Sequence, residues 1–323
     1  MKALCVFSGG LDSMLAAALI RGQGIDVLAL FFETPFFEAH KARKSAQSMD
    51  LPIQVVDISE RHLAMVKNPK HGYGSHMNPC IDCHALMFRI AGEMLVEKNA
   101  SFVVSGEVLG QRPMSQNKQA LGAVATESGL GGLLLRPLSA KCLPLTLAEE
   151  KGWVNRERLM DFQGRTRKPQ IELAAKWHIT GYPSPAGGCL LTEKAFSTRL
   201  KDLFSSRPDA PVRDIRLLKV GRHFRIDERT KAIVGRNKKE NESLLSLKET
   251  GEVLLTTTSV PGPTVLLAGD ISKASIDFAV NLTVAYSDAE KHADAEVKLM
   301  GSGLSPVHPA EISDKAAFKA FMI

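Results

Sequence analysis

Two sets of residues in this chain have the types and spacing that chemistry requires. One is a Cys-x-x-Cys pair, Cys80 and Cys83, with a third cysteine, Cys189, much further along the chain. The other is the sequence SGGLDS, formed by Ser8, Gly9, Gly10, Leu11, Asp12 and Ser13. Thiolates bind metals or attack sulfur, whereas glycines let a backbone approach an anion and serines donate to phosphate oxygens. The sequence therefore predicts a thiol centre and an anion-binding turn.

Hydrophobic patterning places the SGGLDS turn between a strand and a helix. Residues 3–7 form a short apolar run, as in a buried parallel strand, and residues 14–20 are rich in helix formers. In this arrangement backbone N–H groups and the positive end of a helix dipole point at an anion. Asp12 is then placed to orient a magnesium–pyrophosphate unit. The turn has no Gly-Lys-Ser/Thr sequence, so it is not a Walker loop.

The SGGLDS sequence in this context resembles the PP-loop of the ATP pyrophosphatases, which adenylylate a carbonyl oxygen and release pyrophosphate. The resemblance implies that ATP and Mg²⁺ bind at residues 8–13 and that Asp12 takes part in catalysis. It also implies that the main chain around Leu30 and Phe32 lines the adenine pocket.

Further apolar runs predict the fold around this turn. Strands are expected at 27–32, 53–57 and 101–105, with helix-compatible segments between them. This alternation of strands and helices predicts an α/β fold with a doubly wound parallel sheet. The resemblance makes this sheet one of the PP-loop type, and a smaller C-terminal α+β domain is expected after it. Ligands of such sheets bind beyond the carboxyl ends of the strands.

The cysteines leave several kinds of centre open. The pair begins a helix predicted near residues 85–99, where the dipole lowers thiol pKa values. A zinc site needs two more ligands, His84 and a distant residue. With Cys189, which follows two glycines at 187 and 188, the pattern resembles the iron–sulfur-dependent tRNA thiolation enzymes of the TtuA type. That resemblance implies a [4Fe–4S] cluster on Cys80, Cys83 and Cys189.

A cluster-free mechanism is the alternative. Cys189 would carry a persulfide, and Cys80 or Cys83 would resolve a disulfide. The remaining cysteines, Cys5 in the first strand and Cys142 in a loop, are expected to be inert.

Two segments resemble the 4-thiouridine synthetases of the ThiI type. Residues 101–116 resemble their "TGESLGQ…SQ" segment, and residues 135–138 match their "LRPL" motif. The resemblance implies that Ser105 and Gly106 approach ATP and that Gln111 and Gln116 border the site. Arg136 is either a surface arginine or a phosphate contact. The sequence lacks the N-terminal RNA-binding domains and the rhodanese of ThiI, and ThiI has no Cys-x-x-Cys at the position of Cys80.

The distribution of charge favours a polyanionic partner. The net charge is +6 with a pI near 9.0, and residues 151–168 are basic, which indicates either a phosphate-contacting rim or a solvated helix face. Residues 215–226 and 232–236 alternate apolar with basic residues, as half-exposed strands do. Residues 213–303 resemble the NFACT-R RNA-binding domain. The candidate RNA-binding residues are Arg165, Arg167, Lys168, Arg216, Lys219, Arg222, Arg225 and Arg236.

Length and composition divide the chain and restrict its class. For 323 residues we expect two domains: a PP-loop domain at 1–204, a linker at 205–212 and an NFACT-R-like domain at 213–323. No apolar run approaches the roughly 20 residues that span a bilayer, and no signal peptide is seen. A cytoplasmic protein without a membrane partner is expected.

These features together predict an ATP-dependent tRNA sulfurtransferase that makes a thiouridine. Its partners would be tRNA and a sulfur donor, either sulfide or a cysteine desulfurase or carrier protein. The alternatives are a PP-loop enzyme with a non-tRNA acceptor and a non-catalytic RNA-binding protein. The sequence leaves open the uridine position, the choice between C2 and C4, and the oligomeric state, a homodimer being one option.

Overall fold

The computed structural model describes residues 1–184, 189–289, 295–301 and 314–323. These residues form two compact units, Met1–Thr192 and Glu193–Ile323. The glycines at 187 and 188, which the sequence places before Cys189, lie outside the described residues.

The first unit is built on a five-stranded parallel sheet with the order β3-β2-β1-β4-β5. Its strands are β1 (Lys2–Val6), β2 (Asp26–Glu33), β3 (Ile53–Asp57), β4 (Phe102–Ser105) and β5 (Leu134–Leu135). The helices between and after them are α1 (Leu11–Arg21), α2 (His40–Ser48), α3 (Ser59–Lys67), α4 (Cys80–Glu93), α5 (Lys118–Ser128), α6 (Leu147–Glu150) and α7 (Lys168–Lys176).

Both faces of this sheet are covered. Ala3 and Cys5 of β1 pack in one core cluster with α1 and α2, whereas Leu4 packs in a second cluster with α4. Successive residues of a strand point to opposite faces, so the two clusters are the two sides of one sheet. The doubly wound parallel sheet expected from the sequence is confirmed. Burial raises the pKa of the Cys5 thiol to about 12, in keeping with an inert core cysteine.

The order of the strands reverses at β1. The chain runs from β1 outward to β2 and β3, and then returns to place β4 on the other side of β1. Ligands of doubly wound sheets bind in the crevice at such a reversal, beyond the carboxyl ends of the strands. Here that crevice lies between the ends of β1 and β4, after Val6 and Ser105.

The second unit contains an antiparallel sheet with the order β10-β8-β9-β7-β6. Its strands are β6 (Arg222–Arg225), β7 (Lys231–Val234), β8 (Val253–Thr257), β9 (Val265–Ala268) and β10 (Val297–Met300). The helices are α8 (Lys194–Ser206), α9 (Val212–Leu217), α10 (Lys238–Leu247) and α11 (Lys273–Ala285).

Two features of this unit differ from the sequence-based expectation. The units divide between Thr192 and Glu193, so α8 belongs to the second unit rather than the first. Asp202 of α8 forms an ion pair with Arg225, which holds this helix on the antiparallel sheet. Residues 215–217, expected in a strand, form the end of α9, because a short alternating run also fits one turn of a helix.

Candidate active site

The SGGLDS turn joins the carboxyl end of β1 to the amino end of α1. Gly9 has a φ of +76°, and a Cβ on it would lie 2.6 Å from Ala42 Cα, so only glycine fits. Gly10 N donates to Ser8 Oγ at 3.3 Å, and Ser13 Oγ donates to Gly10 O at 2.8 Å. Gly10 begins α1 without a side-chain cap, which leaves first-turn N–H groups for an anion.

Strand β4 brings another glycine against this turn. Val6 of β1 pairs with Ser105 of β4, so the two strand ends lie side by side. A Cβ on Gly106 would lie 2.6 Å from Ser13 N and 2.8 Å from the carbonyl carbon of Asp12. Only a residue without a side chain lets β4 approach so closely. The structure thus places Ser105 and Gly106 at the turn.

Asp12 lies in a polar environment at the start of α1. Gln111 Nε2 donates to its Oδ2 at 2.8 Å, while Oδ1 is buried without a hydrogen-bond partner. Burial raises the pKa of Asp12, against the Gln111 hydrogen bond and the positive charges of Arg167 and Arg112. Mg²⁺ is usually bound by one or two carboxylates plus substrate phosphates, and Asp12 Oδ1 fits that role.

The residues expected around adenine belong to the hydrophobic core. Leu30 and Phe32 are buried near the carboxyl end of β2, and Leu11 is buried at the start of α1. Phe7 N donates to Leu30 O at 2.8 Å, which ties β2 to the residue before the turn. Their position fits the predicted main-chain lining, and contact with adenine stays a prediction.

The three cysteines share one neighbourhood. Cys80 and Cys83 lie on the first turn of α4, and Met77 N donates to Leu191 O at 3.2 Å, which joins the chain before α4 to the segment of Cys189. Burial raises the pKa of the Cys83 thiol well above its ordinary value, and the charges of Cys189 and Cys80 raise it further. Burial also raises the pKa of Cys189, with a contribution from Cys80. The thiols are therefore close enough to repel one another as thiolates.

The expected lowering of the thiol pKa at the start of α4 is wrong for Cys83. Burial and the two other thiols outweigh the helix dipole there. A bound cation or cluster would offset this repulsion. Among the described residues, however, no three His, Cys, Asp or Glu side chains form a group that could hold a metal ion. The [4Fe–4S] cluster thus stays a prediction.

A histidine that the sequence did not single out contacts this centre. His62 Nε2 lies 3.2 Å from Cys83 Sγ, and the imidazole is buried between the rings of Phe36 and Phe37, with centroid distances of 5.3 and 5.5 Å. Burial lowers the pKa of His62 to about 4, which keeps the ring neutral. No local motif marks it, because the contact joins α3 to α4.

A buried ion-pair network connects the nucleotide turn to the cysteine helix. Glu107 follows Gly106, and its carboxylate lies 2.6 Å from His84 Nδ1 and accepts from Arg136 Nε at 2.8 Å. His84 in turn follows Cys83. Burial would raise the pKa of Glu107, but the charge of Arg136 and the contact with His84 hold it at about 2. Arg136 is thus not a surface arginine, and its contact with phosphate stays a prediction.

The basic segment of the first unit lies at the amino end of α7. Arg165 and Lys168 are exposed, and Lys168 Nζ lies 3.8 Å from Glu172. Arg167 is half-buried, and its charge acts on Asp12. This segment therefore adjoins the nucleotide turn, and its contact with RNA stays a prediction.

The basic residues of the second unit differ in what they contact. Arg216 and Lys219 are exposed at and after the end of α9. The aromatic side chains of His223 and Phe224 on β6 are both fully buried. The structure therefore supports a role in the core for these two side chains.

The partners of three other predicted RNA contacts lie within this unit. Arg225 donates two hydrogen bonds to Asp202, at 3.0 and 2.5 Å, and Arg236 forms an ion pair with Glu240. The guanidinium of Arg222 lies over the ring of Tyr286, 5.3 Å from its centroid. Contact of these three with RNA stays a prediction.

Fold and site together define an α/β unit of the PP-loop class followed by an α+β unit. Residues 1–141 match the family model described as thiamine biosynthesis protein (ThiI), and residues 221–319 match the model of the NFACT protein RNA binding domain. One segment of the chain thus matches ThiI and another matches NFACT-R, and both of these resemblances are confirmed. The TtuA-like resemblance of the cysteines stays a prediction.

Individual relatives match over part of their length. The chain is 30% identical over 122 residues to the tRNA-specific 2-thiouridylase MnmA of Karelsulcia muelleri, covering 34% of this chain and 32% of that protein. It is 24% identical over 193 residues to a probable tRNA sulfurtransferase of Anoxybacillus flavithermus, covering 50% and 47%. The chain spans about a third to a half of the length of these relatives.

Among solved structures, a 4-thiouridine synthetase–RNA complex with bound ATP aligns with a TM-score of 0.39 and 19% identity. The alignment covers 67% of this chain and 52% of that chain. Within the described residues, no helix is long and apolar enough to cross a membrane.

Proposed function

We propose that this chain is an ATP-dependent tRNA sulfurtransferase that converts a uridine into a thiouridine. The observation that carries the proposal is the connection between the turn and the thiols. Gly106 packs on Ser13, and Glu107 contacts His84, the neighbour of Cys83. An adenylation site and a sulfur-carrying centre joined in this way can act in turn on one substrate atom. The names of the two relatives support this class of reaction.

The first step is activation of the base. The pyrophosphate part of ATP would bind at residues 8–13, with Mg²⁺ on Asp12 Oδ1. A uracil carbonyl oxygen attacks the α-phosphorus, the adjacent N3 releases its proton, the bond to the β-phosphate breaks, and pyrophosphate leaves. This step is needed because an amide-like carbonyl oxygen is a poor leaving group, whereas AMP is a good one. The base must leave its stack to reach the site.

The second step is insertion of sulfur. A sulfur nucleophile attacks the activated carbon, and AMP leaves with the former carbonyl oxygen. We place its source at Cys80, Cys83 and Cys189, since these thiols share one neighbourhood. A [4Fe–4S] cluster on three thiolates, when bound, would present sulfur at its open iron.

The cluster-free alternative uses the same residues. The outer sulfur of a persulfide on Cys189 attacks the carbon and expels AMP. The Cys83 or Cys80 thiolate then attacks Cys189 Sγ, a disulfide forms, and the bonding electron pair stays on the sulfur of the thiouridine.

In this proposal the second unit binds the RNA. Its match to an RNA-binding domain model supports this role, with Arg216 and Lys219 as exposed candidates for phosphate contacts. The sulfur donor is sulfide or a cysteine desulfurase or carrier protein. Since the substrate is tRNA, we place the protein in the cytoplasm.

A cysteine substitution tests the proposal. We expect Cys189→Ala to keep tRNA-stimulated pyrophosphate release, since the turn is untouched, but to form no thiouridine detectable by nucleoside mass spectrometry. Cys142→Ala is the matched control, because the Cys142 thiol donates to the Asp161 carbonyl at 3.2 Å and has no part in the proposed mechanism, so it should retain thiolation. Normal thiouridine yield from Cys189→Ala would remove this cysteine from the mechanism.

Two further results separate the alternatives. If tRNA does not stimulate pyrophosphate release by the wild-type chain, the acceptor is another molecule and the proposal fails. Iron and sulfide analysis after anaerobic purification distinguishes the two sulfur sources. About four of each per chain supports the cluster, and their absence together with retained thiolation supports the persulfide.

A further inference from the structure

The polar groups beside Asp12 form a series of hydrogen bonds, and the last group in the series has an oxygen that accepts no hydrogen bond. Gln111 Nε2 donates to Asp12 Oδ2 at 2.8 Å, and Gln170 Nε2 donates to Gln111 Oε1 at 3.2 Å. Gln170 is 1% exposed, and its Oε1 is buried without a hydrogen-bond partner. A buried amide oxygen left unpaired is costly, so this atom is a place where a donor of a ligand is favoured.

Asp12 determines which group donates and which accepts in each of these hydrogen bonds. An ionised carboxylate only accepts hydrogen bonds, so Gln111 must turn its NH₂ group towards Asp12 and its oxygen towards Gln170. Gln170 must then turn its own NH₂ group towards Gln111, which leaves its oxygen as the free end. The site therefore offers an acceptor, and not a donor, at this point.

An unused donor lies on the same helical turn. Arg167 is the N-cap residue of α7, and Gln170 follows three positions later, so the two side chains lie on one side of the helix. Arg167 Nε is buried without a hydrogen-bond partner, and its charge acts on Asp12. An unpaired acceptor three positions after an unpaired donor is complementary to a ligand edge that presents an N–H beside a carbonyl.

We propose that Gln170 reads the target base as uracil, with its Oε1 accepting a hydrogen bond from N3–H and Arg167 donating to a flanking carbonyl. This inference rests on the proposed function and names the recognition residue of that site. Cytosine has a bare nitrogen at N3, so its lone pair would face that of Gln170. Because N3 lies between C2 and C4, the contact selects uracil for thiolation at either carbon. Gln170 lies outside the ThiI match at residues 1–141.

The test compares uridine with 3-methyluridine, in which a methyl group replaces the N3 proton. The modified position is first mapped by fragment mass spectrometry of tRNA, and tRNAs with either base at that position are prepared. Binding is compared without ATP, because adenylylation removes the N3 proton and 3-methyluridine cannot undergo that step whatever Gln170 does. For the wild-type chain we expect Kd for tRNA to be about tenfold or more higher with 3-methyluridine, because a hydrogen bond is lost and the methyl group meets Gln170.

Substitution of Gln170 should remove that preference. Gln170→Ala deletes the acceptor and leaves room for the methyl group, so the ratio of the two Kd values should fall to about one. Gln119→Ala is the matched control, since Gln119 is exposed on α5, and should keep the wild-type ratio. A role of Gln170 in folding alone would change both affinities equally and leave the ratio as it is.

A second variant keeps the inference testable if the alanine variant folds poorly. Gln170→Met fills the same volume without polar atoms, and we expect about tenfold lower kcat/KM with uridine at unchanged affinity for ATP. An undiminished preference for uridine in Gln170→Ala, or full activity of Gln170→Met, overturns this inference. Absence of tRNA-stimulated pyrophosphate release by the wild-type chain overturns the proposed function instead.

Discussion

A methyl group at Gly106 should push the nucleotide turn and β4 apart. The added Cβ would lie 2.6 Å from Ser13 N and 2.8 Å from the carbonyl carbon of Asp12, whereas ordinary contact begins at 3.4 Å. Both neighbours are backbone atoms, so the strand and the turn must separate by about 0.8 Å, the difference between 3.4 and 2.6 Å. Overpacking of this kind costs about 1–3 kcal/mol.

Two assays measure the consequence of Gly106→Ala. We expect the melting temperature of the first unit to fall by about 2–4 °C for each kcal/mol lost. The shift also misplaces the reacting groups by nearly 1 Å, so tRNA-stimulated pyrophosphate release should fall by about 100-fold.

Gly122→Ala is the matched control for this substitution. Gly122 lies within α5, and a Cβ added there would have nothing within 4 Å, so alanine should stabilise the protein by about 0.5–1 kcal/mol. The two glycine variants should therefore move the melting temperature in opposite directions. If Gly106→Ala melts at the wild-type temperature and releases pyrophosphate at the wild-type rate, the close approach of β4 to the turn is refuted.

Two further predictions concern buried charges. The pKa of Glu107 is about 2 in the folded chain and near 4.5 when unfolded, so its stabilisation is present above pH 4.5 and is lost as pH falls. Between pH 6 and pH 3, urea titrations should show wild type losing about 2 kcal/mol more than Glu107→Gln, and equal losses would contradict the ion-pair network. Burial lowers the pKa of Lys231 from 10.5 to about 8, so this lysine destabilises the second unit below pH 8 and the penalty fades as pH rises to 10.5. Lys231→Met should raise the free energy of unfolding by about 3 kcal/mol at pH 7 and by less than about 1 kcal/mol at pH 10. The exposed Lys298→Met should change it by less than about 0.5 kcal/mol, and a pH-independent effect of Lys231→Met would argue against the buried charge.

Local patterns suffice to predict the parallel sheet and the nucleotide turn. The strand at 3–7, the two glycines and the helix after them are adjacent in sequence, so their arrangement follows from short-range rules. The proximity of Cys189 to Cys80 and Cys83 follows only from a resemblance, since spacing alone does not bring distant residues together.

The contacts that complete the site are not predictable in this way. Glu107 meets Arg136 across 29 positions, and Gln170 meets Gln111 across 59. Each of these side chains alone has the pattern of an ordinary polar residue, and only the packing of α7 and β4 around the turn pairs them. The helix at 212–217 could not be predicted because, over only six residues, its apolar positions also fit a strand.

The nucleoside content of tRNA from a strain without this protein tests the central claim most directly. If the turn and the thiols form one sulfur-inserting site, mass spectrometry will show that a thiouridine is lost and is restored by the wild-type chain, but not by Asp12→Asn or Cys189→Ala. An unchanged thiouridine content in the strain without the protein would contradict the account.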